Sequence, residues 1–249
     1  GQTAVAVTDH GNLCGAVDFY KLAKAAGIKP IIGCEVYVAP RKLTDKQHGP
    51  DITPHHLVLL CKNKVGYQNL IYMVSRGWTE GFYNKPRIDK ELLVAHHEGL
   101  IALSACLAGE VSSKLMTGDY AGAKETALWF QSLFGEDYYL ELQNHGLEEQ
   151  KAINPLIKRL AAETGIGLVA TNDTHYLKKE DAFTQKVLVC IQTNTTVDSP
   201  SAMEFPTEEF YQKSEEEMRA LFPDCPEAIE NTVKIAEACN FSFEFGKTK

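Results

Sequence analysis

Ala4-Val5-Ala6-Val7-Thr8-Asp9-His10-Gly11-Asn12 and Lys29-Pro30-Ile31-Ile32-Gly33-Cys34-Glu35-Val36-Tyr37-Val38 decide the fold. Each holds a short apolar run of strand-forming residues. The first run ends in a polar turn, and the second carries a carboxylate in its middle. Between them residues 13–26 read as a helix that stops at Gly27, a residue suited to a left-handed C′ position. Strand, helix, strand is the repeating unit of an α/β protein.

Outward from this unit the alternation continues. Strands are expected at 3–8, 31–38, 56–61, 99–105, 138–144 and 167–172. Helices are expected at 13–26, 66–80, 89–95, 118–134, 147–164 and 179–192, several ending at Gly27, Gly81, Gly135 or Gly165. Pro155 falls inside the fifth helix, where it kinks or delays it. The pattern predicts a parallel α/β sheet. Near residue 193 the texture changes. Asn194 to Pro206 is rich in Thr, Ser and Pro and reads as a connector. Helices follow near 214–222 and 226–239, the first opened by Ser214 with Glu217 three residues on, a capping box. The expected division is a barrel-sized domain over 1–193 and a connector with a helical tail over 194–249.

The 249 residues, 44% hydrophobic and 23% charged, suit a globular chain with a sizeable core. No apolar run approaches a membrane span and no signal-peptide pattern opens the chain, so no membrane partner is expected. Seven cysteines without a C-x-x-C read as reduced thiols in the cytoplasm. A formal charge of -8 excludes a broad basic face for gripping DNA phosphates. Any contact with nucleic acid is therefore local. The chain opens with Gly1 straight into an apolar strand, which reads as a truncated start.

The functional signal is polar residues in apolar strands. By the two-residue period Ile32, Cys34, Val36 and Val38 share one face of their strand, while Ile31, Gly33, Glu35 and Tyr37 share the other. A carboxylate there is costly unless paired or metal-bound. His10 follows the first strand, His56 opens Leu57-Val58-Leu59-Leu60, and Cys106 follows Ile101 to Ala105. His55 and His56 face opposite ways. Asp173 and His175 are two apart after the last strand, so extended geometry puts them on one side. Tyr139, Glu141, Gln143 and His145 form a polar stripe. Each has an ordinary reading alone: a salt bridge, an Asx turn, a buried thiol. As a set they imply convergence. Six strands laid flat in sequence order would separate first and last by roughly 24 Å. Rolling the sheet brings His10 to Asp173 and His175 at one mouth; a doubly wound sheet could bring selected strands together too, but only by permuting their order, which disfavours it without excluding it. Imidazole, carboxylate and one thiol together suit Zn²⁺ or Mn²⁺ better than Ca²⁺.

These segments, with Gly66-Tyr67-Gln68-Asn69-Leu70, Leu103-Ser104-Ala105-Cys106-Leu107-Ala108-Gly109-Glu110 and Ala170-Thr171-Asn172-Asp173-Thr174-His175-Tyr176, resemble the PHP (polymerase and histidinol phosphatase) domains of bacterial DNA polymerase III alpha subunits. The resemblance is in order and spans nearly the whole chain. It implies a distorted seven-stranded (β/α) barrel, similar to a TIM barrel, with up to three Zn²⁺ or Mn²⁺ ions at one mouth of the intact domain, a site expected to be partial or empty in this chain. Here the barrel would lack its first strand, because the family's opening His-x-His motif is absent, and it would carry a C-terminal helical tail. The implied metal ligands are His10, Glu35, His56, Cys106, Asp173 and His175, with Asp9 orienting. Asp173, His175, Glu35 and His145 are the implied catalytic set. The implied chemistry is metal-assisted hydrolysis at a 3′ DNA end, a 3′–5′ exonuclease beside a nucleotidyltransferase centre lying beyond Lys249. The implied partners are DNA, the remainder of the alpha subunit, and the proofreading and clamp subunits of the replicase. Competing readings are a scaffold without catalysis and a free-standing phosphatase of the histidinol phosphatase type.

Overall fold

The computed structural model describes residues 2–199, 202 and 205–246. Gly1 and, within the expected connector, Pro200, Ser201, Met203 and Glu204 lie outside the described residues, as do residues 247–249. Seven strands form one sheet: β1 (Ala4–Val7), β2 (Lys29–Val38), β3 (His55–Cys61), β4 (Arg87–Ile88), β5 (Leu100–Leu103), β6 (Tyr138–Leu142) and β7 (Gly167–Ala170). Their order is β1-β2-β3-β5-β6-β7, with the short β4 added to β2. The helices are α1 (Ala16–Ala25), α2 (Lys64–Thr79), α3 (Lys90–His96), α4 (Glu110–Met116), α5 (Tyr120–Phe134), α6 (Glu148–Thr164), α7 (Ala182–Thr193), α8 (Glu215–Leu221) and α9 (Pro226–Ala238).

The α/β class holds, and six strands stand where the sequence places them. The expectation of an all-parallel sheet does not hold. β3 runs antiparallel to both β2 and β5, while β1–β2, β5–β6 and β6–β7 are parallel. The physical reason is the connection. A parallel neighbour needs a crossover, usually a helix, and residues 39–54 contain none, so the chain turns back on itself. Two elements, β4 and α4, were not anticipated; both are very short. Pro155 lies inside an uninterrupted α6.

The period of two divides the core. Ile32, Cys34, Val36, Leu57, Leu59, Ala102, Leu140, Leu142, Leu168 and Ala170 pack outward beneath the helices. Ile31, Val58, Leu60, Ile101, Leu103 and Val169 face inward, where Ile235 and Cys239 join them. α9 and the residues after it thus lie across the floor of the rolled sheet. Asn231 donates to the Leu168 carbonyl at 2.7 Å, and the Asn240 amide to that of Lys62 at 2.7 Å. Capping fixes several helix starts: Asn63 for α2, Asp89 for α3, Asp119 for α5 and Ser214 for α8. With the floor apolar, the inward polar residues collect at the other end.

Candidate metal centre

Glu35 sits two-thirds along β2, on the inward face, and is only 6% exposed. Three segments meet around it. After β1 the chain pairs with β2 through His10 and Glu35: the Gly11 amide donates to the Glu35 carbonyl at 2.9 Å and the Glu35 amide to that of Asp9 at 3.1 Å. Gly11 has φ of +65°, and an added Cβ would lie 2.7 Å from Pro86 Cγ, so only glycine fits this turn. Across the antiparallel ladder Tyr37 faces His56, two pairs along from Glu35 and Val58. The loop after β5 reaches the same place, because the His56 amide donates to the Ala108 carbonyl at 3.0 Å. Ala105, left-handed with φ of 62°, turns the chain so that Cys106 follows.

The ligand-bearing atoms form a continuous line. Cys106 Sγ is 3.7 Å from His56 Nδ1, and His56 Nδ1 is 2.5 Å from Glu35 Oε1. His10 Nδ1 is 3.5 Å from the same oxygen, and His10 Nε2 is 3.5 Å from His175 Nε2. His175 Nδ1 lies 3.8 Å from Asp173 Oδ1. Potential ligand atoms of Glu35, His56 and Cys106 all fall within 4.8 Å of one another. β1 and β7 are opposite edges of the sheet, yet His10 and His175 touch, so the sheet is rolled, the arrangement the sequence favours over a doubly wound one. The six expected residues are brought to one mouth.

Hydrogen bonding leaves lone pairs facing inward. His175 Nδ1 donates to the Asp173 carbonyl at 2.7 Å, which leaves Nε2 as an electron-pair donor. Glu35 Oε1 is buried, and neither imidazole approach has hydrogen-bond geometry, so it has no hydrogen-bond partner. Burial works to raise the Glu35 pKa, but His10 and His56 outweigh it and hold it at about 2. The Glu35 contact raises His10 in return. Burial, reinforced by the Asp173 and Glu35 carboxylates, pushes the Cys106 thiol upward. Burial also raises Asp173, opposed chiefly by His175.

Asp173 and His175 share a side for a different reason from the one their spacing suggests. Asp173 is left-handed, with φ of 44°, so the strand does not continue. A returning segment holds the loop instead. The His175 amide donates to the Phe210 carbonyl at 2.8 Å, and the Asn172 side chain donates to Glu209 and Tyr211 carbonyls at 2.9 and 2.7 Å. His145 stands apart from the line. It is 1% exposed, stacked 3.9 Å from Phe210, with Nδ1 accepting from Gln150 and Nε2 donating to the Asn172 carbonyl, both at 2.8 Å. The Phe205–Phe210 segment carried no signal in the sequence, because its partners are remote in the chain.

Glu141 is the other acid on the inward face. Ser104, Thr171 and the Ala105 amide surround it: the Glu141 amide donates to Ser104 Oγ at 2.8 Å, Thr171 Oγ1 donates to Oε1 at 2.6 Å, and the Ala105 amide donates to Oε2. It ties the ends of β5, β6 and β7 beneath the mouth.

Residues 1–145 match the family model described as PHP domain. The chain is 49% identical over 242 residues to the DNA polymerase III subunit alpha of Treponema pallidum, covering 96% of this chain and 21% of that protein. It is 48% identical over 248 residues to the Thermus aquaticus subunit (98% and 20%), and 48% over 257 residues to that of Deinococcus radiodurans (100% and 19%). The chain spans about a fifth of the length of these curated relatives.

Proposed function

The chain belongs to the PHP domain family, and from that premise we propose that it is the PHP domain of a bacterial DNA polymerase III alpha subunit, serving DNA replication through a divalent-metal phosphodiesterase site. The relatives named DNA polymerase III subunit alpha support the parent. A parent of that kind is a DNA-directed DNA polymerase, with 3′–5′ exonuclease activity proposed for this domain. The cytoplasm is the proposed compartment; among the described residues no helix is long and apolar enough to cross a membrane. Residues 1–193 form the proposed barrel domain and 194–249 its connector and tail. The proposed partners are a 3′ DNA end, the remainder of the alpha subunit, and proofreading and clamp subunits.

One observation carries the metal reading. Glu35 Oε1 is buried without a hydrogen-bond partner while His10, His56 and Cys106 surround it. A buried carboxylate needs a partner or a cation, and the partners gathered on Glu35 are the imidazoles and thiol that a cation would share with it. The donor set of nitrogen, oxygen and sulfur fits Zn²⁺ or Mn²⁺. Glu35, His56 and Cys106 would hold one ion, and His10, Asp173 and His175 would contribute to the further ions of the intact domain. Bound ions would supply Lewis acidity and a lowered pKa for water. His175 is kept in one tautomer by the Asp173 carbonyl. His145, with both ring nitrogens engaged, braces Asn172 and so positions the Asp173–His175 loop. We give it that positioning role in place of the catalytic one the resemblance implies.

Metal analysis of the purified chain, beside trimming of a 3′-labelled oligonucleotide, tests this reading. At least one equivalent of Zn²⁺ or Mn²⁺ should survive dialysis, and a cobalt-substituted chain should show a thiolate-to-metal absorption that Cys106→Ser removes. Retained metal without trimming would make the domain a scaffold. A chain that takes up no ion refutes the metal site.

A further inference from the structure

Exposed aromatic rings beside a metal-type mouth call for a ligand. Trp78, in the last turn of α2, is 51% exposed, and Phe82 just beyond it is 45% exposed. Their centroids are 5.5 Å apart with planes 25° from parallel, a stacked aromatic pair that is about half-exposed. The pair is tied to the site. Trp78 Nε1 donates to the Gly11 carbonyl at 2.8 Å, next to His10. Pro86, following the same turn, packs against Gly11 closely enough to exclude any side chain there.

The turn between Phe82 and Pro86 carries the complementary charge. The Tyr83 amide donates to the Lys85 carbonyl at 3.0 Å, and Asn84 is left-handed with φ of 60°. Lys85 is exposed, with its ammonium 5.3 Å above the Tyr37 ring. Tyr37 lies 5.1 Å from the His56 ring and 6.3 Å from that of His10. Among the described residues no ion pair engages Lys85. By contrast Lys90 and Lys114 are paired with Glu110, and Lys179 and Lys213 with Glu209.

We infer that Trp78, Phe82 and Lys85 form a landing site for single-stranded nucleic acid, bases stacking on the ring pair and a backbone phosphate meeting Lys85. An aromatic face with a neighbouring free cation is the combination that holds single strands without reading sequence. A protein partner would ask for a continuous apolar patch, and here Thr79, Asn84 and the Arg76–Glu80 ion pair interrupt one. The net charge of -8 argues against binding along the surface at large, which leaves a local site of this kind. The inference rests on the phosphodiesterase reading for its purpose, since it places a strand end beside His10.

The experiment is a titration of the whole chain with a short oligothymidylate in EDTA, following tryptophan emission and the anisotropy of a labelled oligonucleotide. Working without metal separates the two readings: binding that survives in a chain unable to hold metal leaves this one standing. Quenching of Trp78 is expected, with an affinity that falls as salt rises. Phe82→Ala should weaken binding roughly 10-fold, and Lys85→Ala should weaken it and flatten the salt dependence by about one phosphate contact, while Lys85→Arg restores both. Phe82 makes no hydrogen bond among the described residues, so its variant tests stacking without disturbing the Trp78–Gly11 link. Unchanged affinity in Phe82→Ala and Lys85→Ala overturns the inference. So does an effect of these variants on self-association alone, which would make the patch a protein contact.

Discussion

Glu35 on β2 and Glu141 on β6 point into the same rolled sheet and are 6% and 4% exposed, yet they end in opposite states. Burial raises Glu141 to about 7, more than its bonds from Thr171 and the Ala105 amide can offset, and the Glu35 and Asp173 charges add to the rise. Burial pushes Glu35 the same way, but two imidazoles override it and hold it at about 2. Both oxygens of Glu141 meet fixed donors, whereas Glu35 Oε1 meets none with the right geometry. The first is a fastener. The second is the oxygen proposed as a metal ligand. Arg87, 0% exposed, follows the fastener pattern from the cationic side: its donors all end on the carbonyls of Leu43, Asp45, Asp51 and Gly81. Burial of charge therefore does not mark function here, and neither does an unmet polar atom alone, since Tyr138 Oη in the core is also unmet; an unmet carboxylate oxygen among ligand-type side chains sets Glu35 apart.

The same conservative change should break the comparison open. Glu35→Gln should weaken zinc binding on the order of 1,000-fold, since roughly four ligands share a binding free energy of about 10–16 kcal/mol. Glu141→Gln should leave zinc affinity within a few-fold, because the amide oxygen can still accept from Ala105 while the amide nitrogen donates to Thr171 Oγ1. Competition against a chromophoric chelator measures both. Equal losses from the two variants would show that Glu141 is itself a ligand.

Acid–base behaviour should sharpen the contrast. Glu141 holds its proton more tightly folded than unfolded, so the stability it contributes is present below about 4.5 and lost as pH rises through about 7. The loss is on the order of 3 kcal/mol at most. Glu35 has the reverse sign: its contribution is present above about 4.5 and lost as pH falls through about 2. The groups facing Glu141 are Thr171, the Ala105 amide and the carboxylates of Glu35 and Asp173. Urea unfolding of the metal-free chain from pH 5 to 8 should show stability falling, and Glu141→Gln should flatten that slope. An unchanged slope would mean that Glu141 ionises normally.

The distinction between these two acids was only half legible in the sequence. Period two put Glu35 and Glu141 on inward faces, and Asp173, His175, His56 and Cys106 were visible because polar residues ending apolar strands ask for a reason. The rolled sheet followed from the need to bring remote strand ends together. The antiparallel β3 was readable too, since no helix lies between residues 38 and 55, but alternation elsewhere masked it. His145 shows where the pattern stops: β6 ends at Leu142, so alternation no longer fixes its direction, and Phe210 and Gln150 set it instead. The Trp78–Gly11 bond and the clamp on Asn172 join remote segments, and no local pattern encodes such pairs.

The smallest expected effect lies at Ala105, whose amide serves Glu141 and whose turn presents Cys106. Its φ of 62° costs an L residue roughly 1–2 kcal/mol, and Ala105→Gly removes that cost. Glycine brings back unfolded-state entropy worth about 0.4–1 kcal/mol. The lost methyl, buried in the inner cluster, gives up about 0.8 kcal/mol more. These nearly cancel, so stability by urea unfolding should stay within about 0.5 kcal/mol, and zinc affinity should not move. A loss beyond about 2 kcal/mol would mean that the methyl, rather than the Glu141 bond to the Ala105 amide, holds the Cys106 turn. Glu141 would then be a bystander to the mouth, and the fastener role assigned to it would fail.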